Sequence, residues 1–308
     1  MVKEITMKIA LDIINTHYTA NPAIVARKAE ELGFESLWFG EHPFIPVNYT
    51  TQYASTPDGR IPPFYHQMLD PFVCLAAAAA VTDKINLSTG ICLVPERNIF
   101  FLAKEVATLD HVCGGRLMLG VGAGWLKEEA DILGIDFSQR HRRMVEGIQA
   151  LREIWTKEEA EFHGKFIDFP PILCEPKTVR KSGVPVHLGA HDENGLKRVV
   201  AWAEGWCPVG GQPSEQMGQS IKRLRELAED AGRDPDSIEI SMFSVVEETD
   251  PVAEIIEKWG EMGVHRVVLS PVSDVKLAYT GYRFDMFAAE RVAETLEWLA
   301  GESVAKMA

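Results

Sequence analysis

The chain predicts one α/β domain, a (β/α)8 TIM-type barrel with insertion segments, and three observations predict it. Strand-like and helix-like stretches alternate along nearly all of the 308 residues, making eight strand-helix units. The strand candidates are short apolar runs with little alternation, as parallel strands buried on both faces should be. No glycine-rich dinucleotide fingerprint follows the first strand, which argues against a doubly wound sheet. The domain covers residues 1–308, with insertions at about 43–68 and 157–182.

In order, Lys8 to Ile14 reads as the first strand, and Asn21-Pro22 starts a helix through Leu32 that Gly33 ends. Ser36 to Gly40 is the second strand, with Glu41-His42 at its carboxyl end. The loop to Met68 that follows holds Tyr49, Tyr53, Phe64 and Tyr65, and a loop of that length inside a compact domain is a lid or a substrate-binding insert. Asp70-Pro71 caps a small-residue helix, Cys74 to Val81. The clearest unit is residues 85–125: strand Ile85 to Leu93, helix Asn98 to His111 stopped by Gly114-Gly115, and strand Leu117 to Val121. Helices follow at Glu128 to Leu133 and Ser138 to Trp155, with Ser138 as the candidate cap, then a hairpin from Glu161 to Ile167 turning at Gly164. The remaining strands are Val184 to Leu188, Gly205 to Val209, Ile238 to Val246 and Arg266 to Leu269. Their helices are Glu193 to Ala203, Pro213 to Asp230, Val252 to Met262 and Phe284 to Leu299. A parallel barrel gathers all the carboxyl ends at one mouth: Asn15, Glu41-His42, Gly90-Ile91, Gly122 to Gly124, Gly189 to His191, Pro208, Phe243 and Ser270-Pro271.

Composition narrows the function. A net charge of −14 and a pI near 5.1 argue against nucleic acid or anionic membrane as partner, both of which need a local excess of Lys and Arg. Five cysteines, Cys74, Cys92, Cys113, Cys174 and Cys207, are odd in number and lie mostly in apolar runs, which fits reduced core residues in the cytoplasm. No apolar run reaches the roughly 18–20 residues of a spanning helix, and Met1 to Thr6 starts no secretory leader. No Walker loop, Gly-x-Ser-x-Gly elbow or His-Glu-x-x-His helix occurs, and His187-x-x-x-His191 spans a strand end, so no metal is expected. Gly120-x-Gly122-x-Gly124 lacks the third glycine of a dinucleotide loop. It and Gly189-Ala190-His191 can still bring backbone N–H groups close to a ring or phosphate, and the second leads into a helix, a candidate anion cradle or a plain tight turn. Asp192 and Glu193 should then point away from the anion.

Several stretches together are similar to the bacterial luciferase-like monooxygenase superfamily, and within it to the branch of deazaflavin (coenzyme F420)-dependent oxidoreductases. They are Glu30 to Trp38 followed by Glu41-His42, Thr89-Gly90-Ile91 with Pro95-x-Arg97, Ala103 to Asp110, Gly114-Gly115-Arg116 with Gly120-x-Gly122-x-Gly124-Trp125, and Gly205-Trp206. The resemblance implies hydride transfer between the deazaflavin C5 and a small organic substrate, and often a homodimer. An FMN-dependent monooxygenase and a flavin-binding protein without turnover are the alternatives. It also implies a non-prolyl cis peptide at Gly90-Ile91 behind the ring, a phosphate turn at Gly189-Ala190-His191, and proton exchange at His42. Glu41 either holds the His42 tautomer or sits in a barrel ion pair. Thr89, Gly122, Gly124, Trp125 and Trp206 complete the implied cofactor site. Ala123 stands where sugar-phosphate dehydrogenases of the branch carry a carboxylate, which counts against a sugar phosphate as substrate. Arg140, Arg142 and Arg143 read as structural partners of Glu146 or Asp136, and Lys177, Arg180 and Lys181 as counter-charges to a polyglutamate tail or as solvated groups.

Overall fold

The computed structural model describes residues 7–54, 56, 58–272 and 287–307. The first half holds β1 (Lys8–Ile13), α1 (Pro22–Glu31), β2 (Ser36–Phe39), α2 (Pro71–Ala79), β3 (Asn86–Leu93), α3 (Ile99–Val112), β4 (Leu117–Gly122), α4 (Lys127–Ile132) and α5 (Arg140–Thr156). An excursion of β5 (Glu159–His163) and β6 (Asp168–Leu173) leads to β7 (Val186–Leu188), α6 (Glu193–Trp202), β8 (Gly205–Trp206) and α7 (Glu215–Asp230). The chain then continues through β9 (Glu239–Glu247), α8 (Val252–Glu261), β10 (Arg266–Val272), α9 (Val292–Glu302) and α10 (Val304–Met307). Eight strands close a barrel in the order β1-β10-β9-β8-β7-β4-β3-β2, every pair parallel, while β5 and β6 form an antiparallel hairpin. Among the described residues no helix is long and apolar enough to cross a membrane.

Local chemistry sets the element ends. Asn21, Asp70 and Asn98 cap α1, α2 and α3 by accepting first-turn N–H groups, and Gly33 and Gly114 leave α1 and α3 at φ +86° and +65°. Ser138 does not cap α5. Asp136 takes the Ser138 N–H and hydroxyl in a short 3₁₀ turn, and the helix starts at Arg140. β8 is only two residues long, because Pro208 brings no N–H to the ladder and Gly210 and Gly211 turn onto the Phe243 carbonyl. The last helix begins at Val292, and the expected start at Phe284 lies outside the described residues.

One apolar layer packs the strands against the helices, and a second cluster fills the barrel with Ala10, Trp38, Met118, Cys207, Phe243 and Val268. At the amino-terminal ends of the strands the barrel is closed by ions. Arg266 on β10 is buried and pairs with Glu35 and Glu239, Lys8 also reaches Glu239, and His187 on β7 lies 3.6 Å from it. The sealed floor leaves the carboxyl ends as the open side.

That floor predicts an acid transition. Burial and Arg266 hold His187 near pKa 4 against an ordinary 6.5, so the unfolded chain binds the proton first. The contribution of His187 is complete above pH 6.5 and is lost as pH falls toward 4, an effect on the order of 3 kcal/mol. Burial would raise Glu239, but Arg266 and Lys8 outweigh it and hold it near 2, so its contribution is lost only between about 4.5 and 2. Urea midpoints should therefore fall between pH 7 and 4.5 in the wild type and much less in His187→Gln, while both proteins weaken below pH 4.

Candidate active site at the barrel mouth

The strand ends surround a cavity of about 640 Å³. It brings together Glu41, His42, Gly90, Ile91, Gly122, Gly124, Trp125, Gly189, Ala190 and His191, ten of the twelve residues singled out from the sequence. The other two do not line it. Thr89 is fully buried and spends its hydroxyl on the Gly120 carbonyl at 2.7 Å. Trp206 is core, and its indole N–H donates to the Ala190 carbonyl at 2.8 Å, shaping the turn from behind. The Gly90–Ile91 peptide is cis, and the β3–β4 register shifts between Thr89 and Cys92, so the strand bulges into the mouth. A Cβ on Gly122 would overlap the Ile91 side chain, and one on Gly189 would stand 3.2 Å from it. The three positions thus make one apolar shelf with backbone exposed at its edges.

His42 closes one side. Its Nδ1 lies 2.9 and 3.1 Å from the two carboxylate oxygens of Glu129 on α4, and Trp125 Nε1–H donates to its Nε2 at 3.2 Å. An N–H pointing at Nε2 requires a lone pair there, so the ring is the Nδ1–H tautomer, donating to Glu129. Glu129 is fully buried. The role considered for Glu41 therefore belongs to Glu129. Glu41 instead accepts from Arg97 Nε at 2.6 Å and from Leu93 N–H at 2.7 Å, the ion-pair alternative, and Arg97 runs on to Asp70 and Glu105. Beside them both Glu96 oxygens are buried without a hydrogen bond to any of the described residues. Burial, then Glu129 and Glu41, push this carboxyl up to about 8, so it stays protonated at neutral pH.

Another part of the lining is cationic. Arg140 and Arg198 both line the cavity with His141 and His191. Arg140 donates to the carbonyls of Gly124 and Phe137, each at 3.0 Å, and not to Glu146 or Asp136. Glu146 is occupied by the Phe166 and Ile167 N–H groups. Burial and the nearby Arg198 lower the Arg140 pKa, and burial with both arginines lowers that of His141. Asp192, which also lines the cavity, offsets these charges in part, and the positive charge left over favours an anion between them. Asp192 caps α6 by accepting from Gly195 N–H at 2.6 Å, and Glu193 turns out to Arg223. Lys177, Arg180 and Lys181 stay outside the cavity.

Tyr53, Ala54, Phe64, Tyr65 and Met68 of the 43–68 segment line the mouth. Glu128, next to Glu129 on α4, accepts from the N–H and hydroxyl of both Thr50 and Thr51 at 2.6 to 3.1 Å. Tyr53 and Tyr65 touch hydroxyl to hydroxyl at 2.8 Å and pack on Trp125, with ring centroids 5.3 and 5.9 Å away. The helix that orients His42 therefore also holds this segment. The sequence does not reveal Glu129 or Arg198 as site residues. Glu129 is 87 positions from His42, and on a short acidic helix nothing distinguishes it from Glu128.

Comparison with known proteins agrees with this geometry. An uncharacterised protein of Mycobacterium tuberculosis is 35% identical over 252 residues, 80% of this chain and 86% of that one. Two solved structures share the fold. A monooxygenase, RslO1, from Streptomyces bottropensis has TM-score 0.75 at 20% identity, covering 98% of this chain and 100% of its own. A coenzyme F420-dependent tetrahydromethanopterin reductase from Methanopyrus kandleri has TM-score 0.69 at 19% identity, covering 99% and 100%. The luciferase-like monooxygenase family matches over residues 17–298, from the loop after β1 to within α9. A closed parallel barrel whose bulged third strand faces two glycine turns, matched over that span, places this chain in the luciferase-like monooxygenase family.

Proposed function

We propose that the protein is a coenzyme F420-dependent oxidoreductase acting on a small organic substrate. The observation that carries this reading is the Ile91 shelf, set between Gly122 and Gly189 in the same cavity as Arg140 and Arg198. An apolar ledge suits a planar ring, and the cationic end suits its anionic tail. Gly90, Ile91, Gly122, Gly124 and Gly189 to His191 would hold the cofactor, with Arg140 and Arg198 on its phosphate. When bound, the deazaflavin supplies the carbon that gives or takes the hydride.

The chain's own part is position and a proton. His42 Nε2 is the atom able to take a proton once Trp125 N–H moves aside, and the resulting imidazolium faces the Glu129 carboxylate. Tyr53, Phe64 and Tyr65 exclude water. A reduced-FMN monooxygenase is the second reading, favoured by the paired arginines, which suit a terminal phosphate dianion equally well.

Titrating apoprotein with F420 and separately with FMN, read by tryptophan fluorescence, tests the choice. Micromolar F420 binding with FMN at least roughly tenfold weaker is expected. Gly189→Asp should abolish it, because the new carboxylate stands in the turn between the Val121 and Cys207 carbonyls and repels the phosphate. Tighter FMN binding would transfer the assignment to the monooxygenase, and no binding of either would end both.

A further inference from the structure

The cavity is polarised, and the barrel order shows how. In β1-β10-β9-β8-β7-β4-β3-β2, β7 stands four places from β1 in either direction, so the Gly189–His191 turn faces the end of β1 across the mouth. Arg140, His141, His191 and Arg198 belong to the elements that follow β4 and β7. The half formed by β1, β9 and β10 is different. There Ile14, Val245 and Val272 pack with Phe64 and Tyr65 of the 43–68 segment into one apolar cluster. Its polar groups are Asp12 and Ser270, which are 8% and 9% exposed on neighbouring strands, the serine hydroxyl donating to Asp12 Oδ2 at 2.7 Å. Among the described residues no Lys or Arg lines this half.

We propose that this half is the substrate compartment, that it takes an uncharged, largely apolar molecule carrying one carbonyl or hydroxyl oxygen, and that Asp12 sets that specificity. The inference rests on the cofactor reading above, since a cofactor anchored at the cationic end leaves this half to the substrate. A carboxylate or phosphate entering here would lose its water and find, among the described residues, no Lys or Arg in exchange. A neutral oxygen finds Asp12, whose carboxyl burial pushes up to about 7 against the opposing pull of Ser270, so that near neutrality much of it carries a donatable proton. Among the described residues the other acidic and basic side chains lining the cavity lie away from Asp12. Glu41 is held by Arg97 and His42 by Glu129 on the β2 side, and Asp192, His191, His141, Arg140 and Arg198 stand at the far end. Asp12 is thus the acid that meets the substrate's polar end, and ionising it makes the compartment hostile to anions.

The test uses the full chain loaded with whichever cofactor it binds, and two probes of one shape: cyclohexyl methyl ketone and cyclohexanecarboxylate. Dissociation constants come from the change in the bound cofactor's absorbance between pH 6 and 8.5. At pH 8.5 the ketone should bind at least about tenfold more tightly than the carboxylate, and Asp12→Asn should close most of that gap by improving the carboxylate. In the wild type, carboxylate binding should strengthen as pH falls through about 7, where Asp12 gains its proton, and Asp12→Asn should be flat over that range. Ser270→Ala, which removes the donor that favours the ionised form, should move the same profile to higher pH. Equal affinity for the two probes, or a pH profile unchanged by either variant, overturns the proposal with the cofactor reading intact. A chain that loads neither cofactor removes that reading first, and this inference with it.

Discussion

His42→Ala is expected to lower kcat by about 10²–10⁴-fold, the usual contribution of a positioned general acid or base. Cofactor affinity should stay in place, because the Ile91 shelf and the Arg140–Arg198 end are untouched. The assay is steady-state turnover with an accepted ketone or alcohol, beside the fluorescence titration. Glu129→Gln separates orientation from charge. The amide oxygen can still accept from Nδ1–H, so the tautomer survives, but the imidazolium loses its carboxylate and kcat should fall by about 10–100-fold with little change in KM. Glu41→Gln makes the comparison sharper. That carboxylate serves Arg97 and the Leu93 N–H, so its loss should act on stability first. Full activity in His42→Ala would remove the proton role assigned to the ring.

Arg266→Met should destabilise the fold by about 3 kcal/mol, the low end for breaking a buried ion pair. The guanidinium is 1% exposed and makes two bonds to Glu35, at 2.7 and 2.9 Å, plus 2.7 Å bonds to Glu239 and Ser241. Methionine replaces the stem but takes the guanidinium from both carboxylates, leaving Glu35 to the Asn86 amide and Glu239 to Lys8. Both keep some contact with water, at 23% and 25% exposure, which absorbs part of the penalty and explains the low end of the range. Urea unfolding at pH 7 measures the loss, and adding Glu35→Gln and Glu239→Gln to Arg266→Met should recover part of it. The deficit should shrink as pH falls below 4.5, because the stranded carboxylates then take up protons. A deficit below about 1 kcal/mol would mean that water replaces the guanidinium outright. Arg266→Lys should not rescue, since a single ammonium cannot bridge two carboxylates as a planar fork does.

The sequence by itself determined the barrel, because eight apolar strands each followed by an amphipathic helix bury their surface best as a closed parallel sheet inside a ring of helices. It also determined the mouth. Strand ends are local in sequence, so His42, Gly90-Ile91, Gly122 to Trp125 and Gly189 to His191 could be placed on one rim before any contact was known. The caps at Asn21, Asp70 and Asn98 were legible for the same reason: a side chain and the N–H it serves lie two or three residues apart.

What only the tertiary structure decided is which side chain meets which across the barrel. Glu129 rather than Glu41 orients His42, Arg140 turns to the Gly124 carbonyl and into the cavity instead of pairing with a nearby acid, and Trp206 supports the Gly189–His191 turn from the core. Asp12 and Ser270 lie 258 positions apart, and Arg266 and Glu35 lie 231 apart. Each pair exists because closure brings β10 beside β1, and β2 pairs with β1 on its other side. Residue type and spacing carry no record of such pairings, since their energy comes from removing both groups from water together, and that happens only when the ring of strands is complete.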